Sequence, residues 1–358
     1  MSGERGPRRE GRLGLSLAGA RAAGAAVVVA IGLLVVGAVC LWILWEPGPA
    51  AKSGPATDVI LLPGSGLSEI AADLKGAGVI RSGALFMAAA QAGGASRSLK
   101  AGEYLIPSGA SLARVLAKIR SGEVVRHMVT IPEGATSAEV AAILDGEPYL
   151  KGVAPTPPEG SVLPETYAAL WGEDRARLLQ RMMQARDVLL ASLWEHRRAG
   201  LPYASPEEAV IIASIVEKET AKPNERPLIA AVFLNRLAKG MRLQSDPTVI
   251  YGLTGGKPLG HGLTQSELAS PTPYNTYQVN GLPPTPISNP GRASLAAALD
   301  PPQTNNLYFV ADGTGGHAFS ATLAQHAKNV ARWRSIELAK AQTSAPSASK
   351  PEARRDPP

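Results

Sequence analysis

The chain has 358 residues and a formal net charge of +6, and it is long enough for two or more domains with real cores. The excess charge sits at the ends, with Arg5, Arg8, Arg9, Arg12 and Arg21 before an apolar run and Arg354 and Arg355 in the tail; no RNA- or DNA-binding motif goes with it, so no nucleic-acid partner is expected. The one cysteine, Cys40, and five scattered histidines (His127, His196, His261, His317, His326) form no metal-ligand pattern, so no metal is expected.

Residues 1–21 read as a basic cytoplasmic N-terminus. Ala22 to Trp45 carries no charge and, at about 1.5 Å per residue, is long enough to cross a hydrocarbon core of about 30 Å. A cleaved signal peptide has an apolar region of only about 7–15 residues, so a retained signal anchor in the cytoplasmic membrane is expected over 22–45, with the arginines inside and everything after Glu46 outside. Three prolines make 46–57 read as a linker that lifts the rest off the membrane.

A small αβ module is expected over 58–125. Strand Asp58–Leu62 runs through the turn Pro63–Gly66 into helix Ser68–Leu74, and strand Lys100–Pro107 and helix Ser111–Ile119 follow. Residues 126–200 read as a second αβ/helical module. There Val129–Gly134 precedes Ser137–Leu144, so Glu-[Ile/Val]-Ala-Ala-x-Leu occurs twice after a strand and a turn. This layout resembles glycan-binding LysM modules; a plain spacer is the alternative. Lys151–Ser161, rich in proline and glycine, reads as a connection, and Asp174–His196 as a long helix facing inward through Leu178, Met182, Val188 and Leu189.

A mainly helical domain with a β-hairpin is expected over 201–340, making the fold class α+β. Its focus is Ser205–Thr220. Ser205 can cap, Pro206 suits the first helical position and Glu208 completes a capping box. From Ala209 to Val216 only Ser214 is polar, so this helix must be surrounded by protein before it reaches Glu217. A desolvated carboxyl there would keep its proton near neutral pH, as a general acid requires. The alternative is that Glu217 ends a core helix and pairs with Lys or Arg. Glu219 falls roughly 200° round the helix and is expected to serve a different side, as a supporting residue at most.

A second helix follows through Leu228, Val232, Phe233 and Leu237. Ser245 or Asp246 then caps another, with Pro247 at its start, and Thr264-Gln-Ser-Glu267 is a further capping box. The loops Ser270–Tyr277 and Gly281–Gly291 are stiffened by proline, so Tyr274, Asn275, Tyr277 and Asn289 are held ready for a ligand. Aromatic and amide side chains suit sugar rings. A helix over Pro290–Leu299 capped by Ser288 or Asn289, a hairpin of Leu307–Val310 with Ala318–Ser320, a last helix to about Leu338 and a disordered tail over 341–358 complete the chain.

Six ordered motifs, Ser214-Ile-Val-Glu-Lys-Glu-Thr220, Phe233-Leu-Asn-Arg236, Leu243–Gly252, Tyr274-Asn-Thr-Tyr277, Gly281-Leu-Pro-Pro284 and Leu307–Asp312, closely resemble the endolytic murein transglycosylases of the YceG-like family. The likeness spans about Val59 to Trp333. It implies a membrane anchor, a LysM-like module and a lysozyme-like catalytic region that cleaves nascent peptidoglycan strands between N-acetylmuramic acid and N-acetylglucosamine. Elongation of those strands would then end. Glu217 is implied as the catalytic acid. Beside that, Gln244, Ser245, Asp246, Tyr274, Asn275, Tyr277 and Asn289 are expected as sugar contacts, and Glu219 and Asn235 as support. No cofactor is implied, and the partners are glycan strands and the peptidoglycan synthases. Leu163-Pro-Glu-Thr-Tyr167 departs from the family's usual residues on either side of the proline, which weakens a special role for Glu165.

A lytic transglycosylase needs one carboxyl, which protonates the leaving oxygen and then takes the proton from the muramic C6 hydroxyl to close a 1,6-anhydro ring. A hydrolase of the usual kind needs two. A muramidase using Asp246, or a non-catalytic wall-binding scaffold, are the competing expectations.

Overall fold

The computed structural model describes residues 17–344. Most of the basic stretch 1–21 and the tail beyond 344 lie outside the described residues. Helix α1 (Leu17–Trp45) contains 22 residues, Gly24–Trp45, long and apolar enough to cross a membrane by length and composition. Its apolar side chains, such as Val28 and Leu34, are left exposed. The chain divides into two compact units, 1–125 and 126–358.

In the first unit β1 (Ala56–Leu61) is followed by α2 (Leu67–Gly76), α3 (Gly83–Ala92), β2 (Gly102–Pro107) and α4 (Leu112–Ser121). β1 and β2 pair antiparallel with Val59 opposite Tyr104, and both side chains join Leu74, Phe86 and Ile119 in the core. Helix α3 was not expected, because its alanines face every direction and leave no apolar stripe; Ser82 caps it by accepting from the Leu85 amide. The stretch 46–57 is not a free spacer. Gly48 N–H donates to Gly109 O at 3.2 Å, Gly109 N–H to Pro49 O at 3.0 Å and Ala51 N–H to Ser108 Oγ at 3.0 Å, while Arg81 pairs with Glu46. A Cβ on Gly48 would meet Ala110 O, so only glycine lets the two backbones approach.

The second unit opens with β3 (His127–Thr130), α5 (Ser137–Gly146) and β4 (Thr166–Ala169), with β3 and β4 antiparallel and Val129 opposite Tyr167. Helix α6 (Arg175–Glu195), capped by Asp174, buries Leu178, Met182, Leu189 and Leu190; Val188 instead turns outward and is exposed. Helices α7 (Pro206–Glu219), α8 (Arg226–Ala238), α9 (Asp246–Thr254), the single turn α10 (Gln265–Leu268) and α11 (Arg292–Leu299) follow. The hairpin β5 (Tyr308–Ala311) with β6 (His317–Ser320) then leads into α12 (Leu323–Ser344).

Residues Ala209 to Val216 of α7 are all buried, packed among Leu163, Leu190, Phe233 and Leu295. That shared core draws 126–200 and 201–340 into one unit. Three local expectations change. Glu208 accepts from Ala204 N–H, one residue before the cap, while Ser205 Oγ accepts from Glu208 N–H. Helix α11 begins after Gly291 and is not capped by Ser288 or Asn289, since the Asn289 amide is committed elsewhere. Helix α12 runs past Leu338 to Ser344, so 341–344 are helical and not part of a disordered tail.

Ser294 on α11 is fully buried and its hydroxyl has no partner. Ser294→Ala removes an unpaired polar atom and adds a better helix former, so it is expected to stabilise the protein by about 1 kcal/mol, a rise of roughly 2–4 °C in Tm. Thermal unfolding of the variant measures it, and an unchanged or lower Tm contradicts the account.

Candidate active site

Helix α7 delivers two carboxyls at its last turn, and they meet different neighbours. Glu217, with 3% of its side chain exposed, binds Arg226 Nη2 through Oε1 at 2.9 Å and accepts from Gly291 N–H through Oε2 at 2.8 Å. Arg226 reaches Glu133 Oε2 at 3.1 Å from the same nitrogen. Glu217 therefore ties α7 to the starts of α8 and α11 and to the turn after β3, the paired arrangement left open as the alternative above.

Glu219 turns the other way. Its Oε1 accepts from Ser245 Oγ at 2.5 Å. Ser245, 1% exposed, is the N-cap residue of α9 yet makes no side-chain cap bond, because its hydroxyl is given to Glu219. Burial drives the Glu219 carboxyl up to about 7, with the Ser245 hydrogen bond opposing it, the Asp246 charge adding to it, and His317 and Arg236 opposing it. The half-turn between the two glutamates was legible on a helical wheel. The side on which Ser245, Asp246 and Tyr277 gather was not, and it is the side of Glu219.

Asp246, exposed, accepts from the Tyr277 hydroxyl through Oδ1 at 2.7 Å. Burial and this acidic partner raise the Tyr277 phenol. Gln244 is exposed and is the one non-glycine among the described residues with positive φ, at 52°. A side chain held in the left-handed region beside a catalytic candidate is strain of the kind found at functional sites. Its backbone is pinned by Gln244 N–H to Thr276 O at 3.1 Å, and Thr276 Oγ1 accepts from Ser245 N–H at 2.9 Å.

Four other candidates serve the scaffold. Asn275 is fully buried; its Nδ2 donates to Leu268 O and Ser270 O, and its Oδ1 accepts from Tyr277 N–H. Asn289 is also fully buried. Its Oδ1 accepts from Val162 N–H at 2.9 Å, and its Nδ2 donates to Ala135 O, Ser137 Oγ and Glu159 Oε1. Neither amide is open to a sugar. Asn235 holds Thr304 O and Asn306 O, before the hairpin. Tyr274 packs its ring edge-on against Tyr251 and shares a hydrogen bond with Thr285 at 2.8 Å.

Sequence reasoning overlooked Arg226, Glu133, Arg236 and the pair His317–Glu225. Arg236 donates to Leu243 O at 2.6 Å and Leu307 O at 2.7 Å, joining the Ser245 loop to β5. Glu225 Oε2 accepts from His317 Nδ1 at 2.6 Å and from Thr220 Oγ1 at 3.3 Å, which sets the hairpin against the end of α7. Its carboxyl carries a burial cost but is held below its usual range by His317. The acid–base dipeptide Glu225-Arg226 at the head of an apolar helix could have signalled those two residues, and the motif Phe233-Leu-Asn-Arg236 already contained Arg236. An open cleft bordered by Glu133, Gly134, Glu217, Lys218, Glu219 and Arg226 runs past both glutamates. Among the described residues no cluster of His, Cys, Asp and Glu could hold a metal.

The chain matches the YceG-like family over residues 59–332, which takes in the whole cleft. The chain belongs to that family. Similar proteins include the endolytic murein transglycosylase of Bacillus subtilis (strain 168), 33% identical over 315 residues that cover 78% of this chain and 86% of that protein. The endolytic murein transglycosylase of Streptococcus pneumoniae (strain D39) is 30% identical over 330 residues, covering 78% of this chain and 59% of the relative. A crystal structure of a putative yceG-like protein from Listeria monocytogenes aligns at 32% identity over 77% of this chain and 99% of that one, with a TM-score of 0.46. YceG-like membership thus rests on sequence over most of the chain.

Proposed function

We propose that this protein is a membrane-anchored lytic transglycosylase that cleaves peptidoglycan glycan strands endolytically, with Glu219, and not Glu217, as its acid and base. The observation that carries the assignment is the Glu219 carboxyl itself: half-buried on the wall of the cleft, pushed up to about 7 and oriented by Ser245. Protonated, it gives its proton to the glycosidic oxygen between the muramic and glucosamine residues as that bond breaks. The carboxylate left behind takes the proton of the muramic C6 hydroxyl, whose oxygen closes on C1. The proton balance returns to the start and no water is consumed.

Ser245 orients Glu219, while Gln244, Asp246 and Tyr277 line the neighbouring rim for sugar hydroxyls. The strand–helix–helix–strand order of the first unit supports the LysM-like, glycan-holding reading of residues 58–125. The apolar length of α1 supports a signal anchor with the enzyme on the extracytoplasmic side, where strand synthesis would be ended beside the synthases. Mass spectrometry of peptidoglycan digested by the purified chain tests the reaction: 1,6-anhydromuramic ends support it. Reducing ends would favour the second reading, a muramidase with Asp246 as partner carboxylate, which the charge of Asp246 acting on Glu219 keeps in play.

The pH dependence has a definite sign. Glu219 must carry its proton to act first as an acid, so cleavage is expected to fall as pH rises through about 7. Asp246→Asn removes a like charge that holds the proton on, so its alkaline limb is expected to move to lower pH. Rate–pH profiles of the two proteins check this, and a limb that stays in place or moves upward contradicts the role given to Asp246.

A further inference from the structure

The last turn of α1 does not stand clear of the first unit. Ile43 and Leu44 are half-buried, whereas residues 24–42 of the same helix are exposed. Ile43 lines a groove with Glu46, Val79, Arg81, Leu85 and Leu112, so the starts of α3 and α4 are packed beside the end of the apolar run. Trp45 lines a second groove with Ser108, Ala113 and Arg114.

Leu85, in the first turn of α3, keeps 44% of its surface exposed. A lone exposed leucine carries no meaning by itself. Its height does. Ile43 lies two residues before the end of the apolar run Gly24–Trp45, which is about 3 Å inside it at about 1.5 Å per residue. Gly48, clamped to Gly109, is three residues beyond Trp45 and so at most about 10 Å from the end of the run. The headgroup layer on each side of a bilayer is about 5–8 Å deep. Leu85, beside Ile43, therefore stands where hydrocarbon meets headgroups. Arg81, which pairs with Glu46, and the exposed Arg114 put cations at the level of the headgroup phosphates, and Trp45 is the residue type that anchors there.

We propose that the face of the first unit around Leu85 is a lipid-binding surface that seats in the extracytoplasmic leaflet of the membrane crossed by α1, so that this unit works against the bilayer and is not held above it. The inference rests on the signal-anchor reading of α1. The occupant is lipid because the patch continues the apolar flank of α1, which on that reading already lies in lipid.

The full-length chain is placed in vesicles of phosphatidylcholine and phosphatidylglycerol with a nitroxide spin label at one position at a time. The label goes on the native Cys40, within the span, or, in a Cys40→Ser background, on Leu85→Cys or Leu62→Cys. Leu62 is exposed as well and lies about 20 Å along β1 from the clamped end of that strand. Neither leucine belongs to the core of the unit, so neither substitution removes its packing. The labels at 40 and 85 are expected to collide with oxygen, which dissolves in lipid, and to lose most of their collisions with a water-soluble nickel chelate; the label at 62 is expected to show the reverse. A label at 85 that behaves as the one at 62, with Cys40 in lipid, overturns the proposal and leaves the anchor standing. Shielding of the label at 85 from both reagents, with spin–spin broadening, also overturns it, because a second copy of the chain then covers the face. If the Cys40 label itself meets the chelate freely, the signal-anchor reading falls and this inference falls with it.

Discussion

Glu219→Gln is expected to lower the rate of anhydro-end formation by about 10²–10⁴-fold while leaving the fold intact. Glutamine keeps the shape of the side chain and an acceptor for the Ser245 hydroxyl, but it has no proton to give to the glycosidic oxygen. Glu217→Gln separates the two carboxyls of α7. Its amide oxygen can still accept from Gly291 N–H, but the ionic tie to Arg226 is lost, so the expected result is lower stability with cleavage retained in the folded fraction. Product analysis and thermal unfolding of both variants decide the matter. Silencing by Glu217→Gln together with an active Glu219→Gln would return the catalytic role to Glu217.

Asn289→Ala is expected to have the largest effect on stability. One amide serves Val162 N–H, Ala135 O, Ser137 Oγ and Glu159 Oε1, all in the joint between the β3–α5–β4 portion and the helices. Burial pushes the Glu159 carboxyl up, with hydrogen bonds from Ser137 and Tyr251 opposing it. Removing the amide leaves several buried groups unsatisfied, at a cost of about 3 kcal/mol or more, or roughly 6–12 °C in Tm. Calorimetry measures that loss. Glycan binding by the protein that stays folded is expected to be unchanged, and weakened binding at constant fold would restore Asn289 as a sugar contact.

Much of the architecture could be read before any coordinates because it is written in local rules. The long helix starting about Asp174, the almost wholly apolar Ala209–Val216 segment and the hairpin of Leu307–Val310 with Ala318–Ser320 each follow from propensity or periodicity. Helix α3 could not be read that way, since an alanine-rich segment has no polar face to mark its period.

The cleft was half legible. Ser245, Asp246 and Tyr277 were marked by a stiff, polar loop beside a helix start, and the structure gathers them. Asn275 and Asn289 carried the same mark for a different reason. A buried irregular loop has no ladder to satisfy its backbone, and amide side chains supply what is missing. Glu217 and Glu219 were separable by angle alone, but the choice between them depended on Arg226 and Ser245, which arrive from other elements and leave no trace in the helix that carries the glutamates.

The backbone clamp between Gly48 and Gly109 also has a mechanical meaning. An extensible tether would let the first unit swing about the end of α1 and would absorb any pull as slack. Here a force on β2 passes to Trp45 through a pair of backbone hydrogen bonds and a contact that admits no side chain. The end of α1 and the strands that follow are therefore held together as one lever, with the separation between them set like the length of a strut.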